Sequence, residues 1–135
     1  MDWKIEVVPI PVTDVDRAIA FYRDKAGFTL DVDASPYEGI RFVQLTPPGS
    51  ACSIVLGQGI VDTAPGSIQG LQIVVEDIDA ARQELLSRGV DASPVQHYTE
   101  TGLAEGNGGG WNAFVFFSDP DGNSWAVQQR NTGDS

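Results

Sequence analysis

Few side chains in this sequence can do chemistry, and they are scattered. His97 is the sole histidine, and Glu100 and Glu105 follow it in a glycine-rich stretch, Tyr98–Gly110. An imidazole titrates near neutrality, and a nearby carboxylate could complete an acid–base pair. His97 and Glu100 are therefore the candidate catalytic groups, set against the plainer reading of a solvated loop histidine among surface charges. Asp119 and Asp121 look like paired carboxylates, but Asp119-Pro120-Asp121-Gly122-Asn123 reads more simply as a turn whose side chains support its own backbone. Cys52 is the one cysteine, so an internal disulfide and a thiolate metal cluster are both excluded. It opens an apolar segment and reads as a small buried hydrophobe rather than a nucleophile. Gly106, Gly108, Gly109 and Gly110 could form a mobile lid. No helix follows them and no lysine is near, so they do not form a phosphate cradle.

The elements that must position these groups come in two copies. Ile10, Val12, Asp14, Asp16 and Ala18 recur at constant spacing as Ile73, Val75, Asp77, Asp79 and Ala81. Residues 4–12 read as a strand. Asp14 then caps a helix over residues 15–25, stopped by Gly27, and strands follow at Phe28–Asp33, Ile40–Leu45 and Cys52–Leu56. Residues 57–66 read as a linker. The second copy gives a strand at Ser67–Val75, a helix from the Asp77 cap through Arg88, and a short strand at Ala92–His97. The long glycine-rich loop comes next, then strands at Trp111–Phe117 and Ser124–Gln129. The tail Asn131–Ser135 reads as frayed. The expected fold class is α+β, two tandem β-α-β-β-β modules. The expected organisation is one domain over residues 1–135, with module one at 3–57, the linker at 58–66 and module two at 67–130.

Composition narrows the partners. The length suits one compact domain, and 41% hydrophobic residues suit a packed core. A net charge of −11 disfavours nucleic acid and anionic membranes, since both require a basic surface. No signal-peptide pattern and no membrane-length apolar run is visible, and the lone cysteine suits a reducing compartment. A cytoplasmic protein is the expectation.

The segments Pro11-Val12-Thr13-Asp14-Val15-Asp16-Arg17-Ala18-Ile19-Ala20-Phe21-Tyr22 and Phe117-Ser118-Asp119-Pro120-Asp121-Gly122-Asn123, on this duplicated pattern, resemble the vicinal oxygen chelate superfamily. That group is also called the glyoxalase, bleomycin-resistance and extradiol dioxygenase superfamily. The resemblance implies a curled, cup-shaped mixed sheet and, by analogy, a homodimer. It is weak evidence for any one reaction, because the fold hosts many functions. In the superfamily's metalloenzymes, the first and last strands of each module supply His or Glu ligands. Carried onto this chain, those positions are Val7, Val55, Gly70 and Ala126, and none has a side-chain donor. No metal and no cofactor are therefore expected.

Strand alternation from the same positions sends Val7, Pro9 and Pro11, Ser53 and Val55, Gly70, Gln72 and Val74, and Ala126 and Gln128 to the inner face. Asn112, Phe114 and Phe116 are assigned inward as well, with Gln44 and Trp111 as further lining. The expected substrate-binding set is thus Val7, Pro9, Gln44, Ser53, Val55, Gly70, Gln72, Trp111, Phe114, Ala126 and Gln128. An apolar lining with a few neutral amides suits a hydrophobic or aromatic organic molecule. Sequestration of such a molecule is the first expectation. A metal-independent lyase, isomerase or cyclase is the second, and a metal-dependent glyoxalase or dioxygenase is third.

Overall fold

A computed structural model describes residues 1–131 of the chain. Residues 132–135, part of the tail expected to fray, lie outside the described residues. The chain divides into two compact units. The first is Met1–Ile68 together with Asp119–Asn123; the second is Gln69–Ser118 together with the chain from Ser124 onward. Each is built on one mixed sheet, so the α+β class holds. None of the described helices is long and apolar enough to cross a membrane.

In the first unit, β1 (Val7–Pro9) lies at a sheet edge, parallel to β4 (Ser53–Gln58). The remaining strands, β3 (Ile40–Thr46) and β2 (Thr29–Tyr37), are antiparallel, giving the order β1-β4-β3-β2. β1 is shorter than the expected 4–12 because Pro9 and Pro11 have no N–H to donate. Its hydrogen bonding nevertheless runs from the Glu6 carbonyl, which accepts from Ser53 N, to Ile10 N, which donates to Val55 O.

The helix expected over 15–25 changes character midway. Residues Val15–Ile19 are α-helical (α1), and Ala20–Lys25 widen into a π-helical segment, where Ala26 N donates to Phe21 O at 2.8 Å. Neighbouring residues on an α-helix diverge by about 100°, which would expose one of two consecutive rings. Here Phe21 and Tyr22 are both buried, edge to face with centroids 5.1 Å apart, and the wider turn accommodates both.

The second unit has the order β5-β9-β8-β6-β7. β5 (Leu71–Val75) runs parallel to β9 (Ser124–Gln129), and β9 pairs antiparallel with β8 (Phe114–Ser118). β5 begins later than expected because Gly70 has φ +77°, a left-handed conformation that interrupts an extended strand. The helix α2 (Ile78–Ser87) remains α-helical throughout and ends at Arg88.

Two expectations for this unit are corrected. The short strand is not at Ala92–His97 but at Gln96–Thr99 (β6), because Pro94 and the local Ala92 N to Val90 O bond keep the preceding residues irregular. The stretch expected to be a long loop contains β7 (Gly102–Glu105), which forms a hairpin with β6. The Thr99 hydroxyl closes its turn by donating to Gly102 O at 2.7 Å. Only the stretch beyond Glu105, up to β8, stays irregular.

Candidate functional site

The helix caps show how each unit fixes its backbone. Asp14 accepts from Arg17 N and Asp77 from Ala80 N, both at 3.0 Å, and the two caps share nearly the same dihedrals. The repeated aspartates therefore set the same strand-to-helix corner twice. The sheet faces behind those corners differ.

On the first sheet, register places Val7 opposite Ser53, Pro9 opposite Val55, and Gln44 opposite Val55. Those five predicted residues share one face, with Thr46 two positions beyond Gln44. The polar members form a directed chain. Gln44 Nε2 donates to Ser53 Oγ at 3.4 Å, Ser53 Oγ lies 2.6 Å from Thr46 Oγ1, and the Thr46 hydroxyl donates to the Asp31 carboxylate. With the Thr46 proton committed to Asp31, the Ser53 proton goes to Thr46.

Elsewhere on this unit, Arg41 is clamped between carboxylates, to Asp16 at 2.9 Å and in bidentate fashion to Asp33. Its hydrogen bonds to Asp33 and then Asp16 push its pKa further up, and Arg41 in turn holds the Asp33 carboxyl below its ordinary value of 3.8. A concavity of about 500 Å³ beside it is lined by Thr13, Asp16, Arg41 and Gln58, of which Arg41 and Asp16 are paired with each other.

On the second sheet, register places Gln72 opposite Ala126 and Val74 opposite Gln128; Phe116 pairs with Ala126, and Phe114 with both Gln128 and Gln96. Tyr98 follows on the same face by alternation. The rings form a cluster: Phe114 and Phe116 stack with centroids 6.0 Å apart, and Tyr98 meets Phe114 edge-on at 5.2 Å. They line a concavity of about 620 Å³ together with Gly70, Gln72 and Ala126, within the size range of small-molecule sites.

The remaining predicted residues fall outside that cluster. Gln128 shares the face, but its Nε2 donates to Trp111 O at 2.8 Å. Trp111 is about half exposed and does not line the concavity. His97 sits one residue before Tyr98 and so faces the opposite side of β6. Its Nδ1 lies 2.9 Å from Gly106 O, and a Cβ on Gly108 would come within 2.8 Å of its own Cβ. Glu100 is exposed at the tip of the β6–β7 hairpin. The two candidate catalytic residues therefore do not converge on the aromatic face.

Tyr98 and Asp91, which also lines the concavity, were missed from the sequence. The signal for Tyr98 was its alternation with Gln96, hidden by reading the segment as a loop. Asn112, assigned inward, instead clamps the hairpin to the sheet: its Oδ1 accepts from Tyr98 N and its Nδ2 donates to Tyr98 O.

The positions at which metalloenzymes of the resembling superfamily carry ligands are Val7, Val55, Gly70 and Ala126. Three offer hydrocarbon, and the fourth has no side chain on a left-handed backbone. Among the described residues, no three His, Cys, Asp or Glu side chains are grouped to hold an ion. This donor set does not fit a metal centre.

The family model for the glyoxalase/bleomycin resistance protein/dioxygenase superfamily matches residues 4–127. The chain belongs to this superfamily. Among solved structures, it is similar to TnmS3, an antibiotic binding protein from Streptomyces sp. CB03234, at 30% identity and a TM-score of 0.76, covering 96% of this chain and 97% of that one. It is also similar to a glyoxalase/bleomycin resistance protein from the same organism, at 31% identity and a TM-score of 0.72, covering 93% and 100%. A superfamily member from Sphaerobacter thermophilus DSM 20745 matches at 27% identity and a TM-score of 0.75, covering 96% and 98%. No match is found among curated proteins.

Proposed function

We propose that this protein binds a small hydrophobic or aromatic organic molecule without a metal, in the manner of a sequestering or resistance protein. The observation that carries the reading is the Tyr98–Phe114–Phe116 cluster lining a concavity of drug-like size on the second sheet. Flat aromatic surfaces gain from offset stacking beyond the area they bury. The likeness to an antibiotic binding protein at 30% identity supports the same reading. Hydrocarbon at Val7, Val55 and Ala126 favours a metal-independent mode.

The competing reading is a metal-independent lyase, isomerase or cyclase, which needs an acid–base group at the bound ring. His97 faces away from the cluster and Glu100 lies at a hairpin tip, which leaves Asp91 with no imidazole or second carboxylate beside it in the lining, so sequestration is favoured over turnover. A second copy of the chain is also proposed as a partner, supported by the exposed Trp3 and Ile5 before β1, apolar surface that a dimer would cover. Light scattering that returns the monomer mass at working concentration would remove that part.

The test is a tryptophan-fluorescence and thermal-shift screen against planar polycyclic aromatics, with chromatography of the ligand after long incubation. Saturable binding with the ligand recovered unchanged is expected. Conversion of the ligand would move the assignment to an enzyme, and no saturable binding across the panel would overturn it.

A further inference from the structure

The polar groups around the aromatic concavity are unequal in kind. Ser93 Oγ donates to Pro94 O and accepts from Phe116 N. Ser124 Oγ donates to Gln69 Oε1 and accepts from Gly70 N. Both hydroxyl protons are committed within the protein, leaving only lone pairs to offer a ligand. Asp91, a carboxylate and so acceptor-only when ionised, is the one charged residue in the lining, and no lysine or arginine lines the concavity. Of the second unit's three arginines, Arg82 donates to the backbone of the lining residue Ser93 at 2.8 Å and Arg130 pairs with Glu76 at 3.0 Å, and neither these nor Arg88 lines the concavity. Beside Asp91 the lining carries neutral donor groups on Gln72, Tyr98, Ser118 and Trp125 and no cationic one. An anionic ligand would lose hydration and meet the like charge of Asp91 with no cationic side chain in the lining to offset it. A cation would meet Asp91 within a lining that includes Tyr98, Phe114 and Phe116.

We propose that this concavity selects planar aromatic ligands that carry a positive charge or hydrogen-bond donors, and rejects carboxylated or sulfonated ones, with Asp91 as the selecting residue. The inference rests on the aromatic binding mode proposed above and adds its charge preference.

Three probes with one ring system separate the two ideas: acridine, which is neutral near neutral pH, cationic 9-aminoacridine, and anionic acridine-9-carboxylate. Fluorescence titration of the whole chain is expected to rank them in the order cation, neutral, anion, with steps of about tenfold. Asp91→Asn is expected to bring 9-aminoacridine to within about threefold of acridine. Asp62→Asn, a loop carboxylate outside this lining, controls for the general attraction of an acidic protein and is expected to leave the ranking intact.

If the carboxylate binds as tightly as the amine, or if Asp62→Asn and Asp91→Asn act equally, the charge preference falls while aromatic binding stands. If Tyr98→Ala leaves all three affinities unchanged, the site itself is wrong and both proposals fall.

Discussion

The two halves share a corner and differ in a face. Asp14 and Asp77 cap their helices with the same bond at the same length. Register then places Pro9 and Gln44 on either side of Val55 in the first sheet, and Gln72 and Phe116 on either side of Ala126 in the second. At equivalent positions one sheet carries an amide, tied into a chain ending on Asp31, and the other carries a phenyl ring within an aromatic cluster. Backbone devices in a duplicated fold are constrained by geometry that any copy must satisfy. Side chains on an open face answer only to what they contact, so duplication keeps the first and frees the second.

The largest test compares the turns that join the last two strands of each half. In Asp119–Asn123, Asn123 is fully buried. Its Nδ2 donates to Pro11 O and Asp119 Oδ2, both at 2.8 Å, and its Oδ1 accepts from Ile68 N. In the first half, Ser50 only bonds locally to Cys52 on an exposed turn. Asn123→Ala is expected to cost about 3 kcal/mol, because buried partners lose their bonds, whereas Ser50→Ala should cost under about 1 kcal/mol. Urea denaturation reads both, and equal losses would erase the distinction.

The faces are compared next. Phe116→Ala is expected to weaken a bound planar aromatic about tenfold, and Gln44→Ala by less than about twofold. Fluorescence titration of the two variants with acridine checks this. The reverse order would move the site to the first sheet.

A smaller effect sharpens what the halves share. Asp14→Ala and Asp77→Ala should each cost about 1 kcal/mol, and agree within about 0.5 kcal/mol, if the caps are energetically as well as geometrically alike. Thermal unfolding of the single variants decides it.

The smallest expected effect belongs to the first half alone. Arg41 holds the Asp33 carboxyl below 3.8, so the pair's contribution is complete above that value and disappears as pH falls through Asp33's lowered one. Because Asp33 is about one-third exposed, the contribution should stay below about 1 kcal/mol and shrink in salt. Unfolding of Asp33→Asn should differ from the parent near neutral pH and converge with it in acid.

The backbone was more legible than the face. Asp14, Asp77, Gly27 and Gly89 act through local geometry, which sequence displays directly, and the family motifs located both halves. The π-helical widening was not legible, because it follows from burying two consecutive rings, Phe21 and Tyr22, against tertiary neighbours. The β6–β7 hairpin was hidden by flanking glycines that read as a loop. Phe114, Gln72 and Ala126 could be assigned to one face because alternation is periodic. Asp91 could not, since it sits in irregular backbone where no periodicity points a side chain.

The Asp119–Asn123 turn belongs to the first compact unit although the sequence reaches it only near the end. Tyr22 donates its hydroxyl proton to Asp119, and Thr13 and Arg17 bond to Asp121. During synthesis, the amino-terminal repeat must wait until residues 119–123 have left the ribosome before the buried Tyr22 hydroxyl meets Asp119. Contacts this distant in sequence slow folding, so the first repeat completes its packing only after the β8–β9 turn has formed.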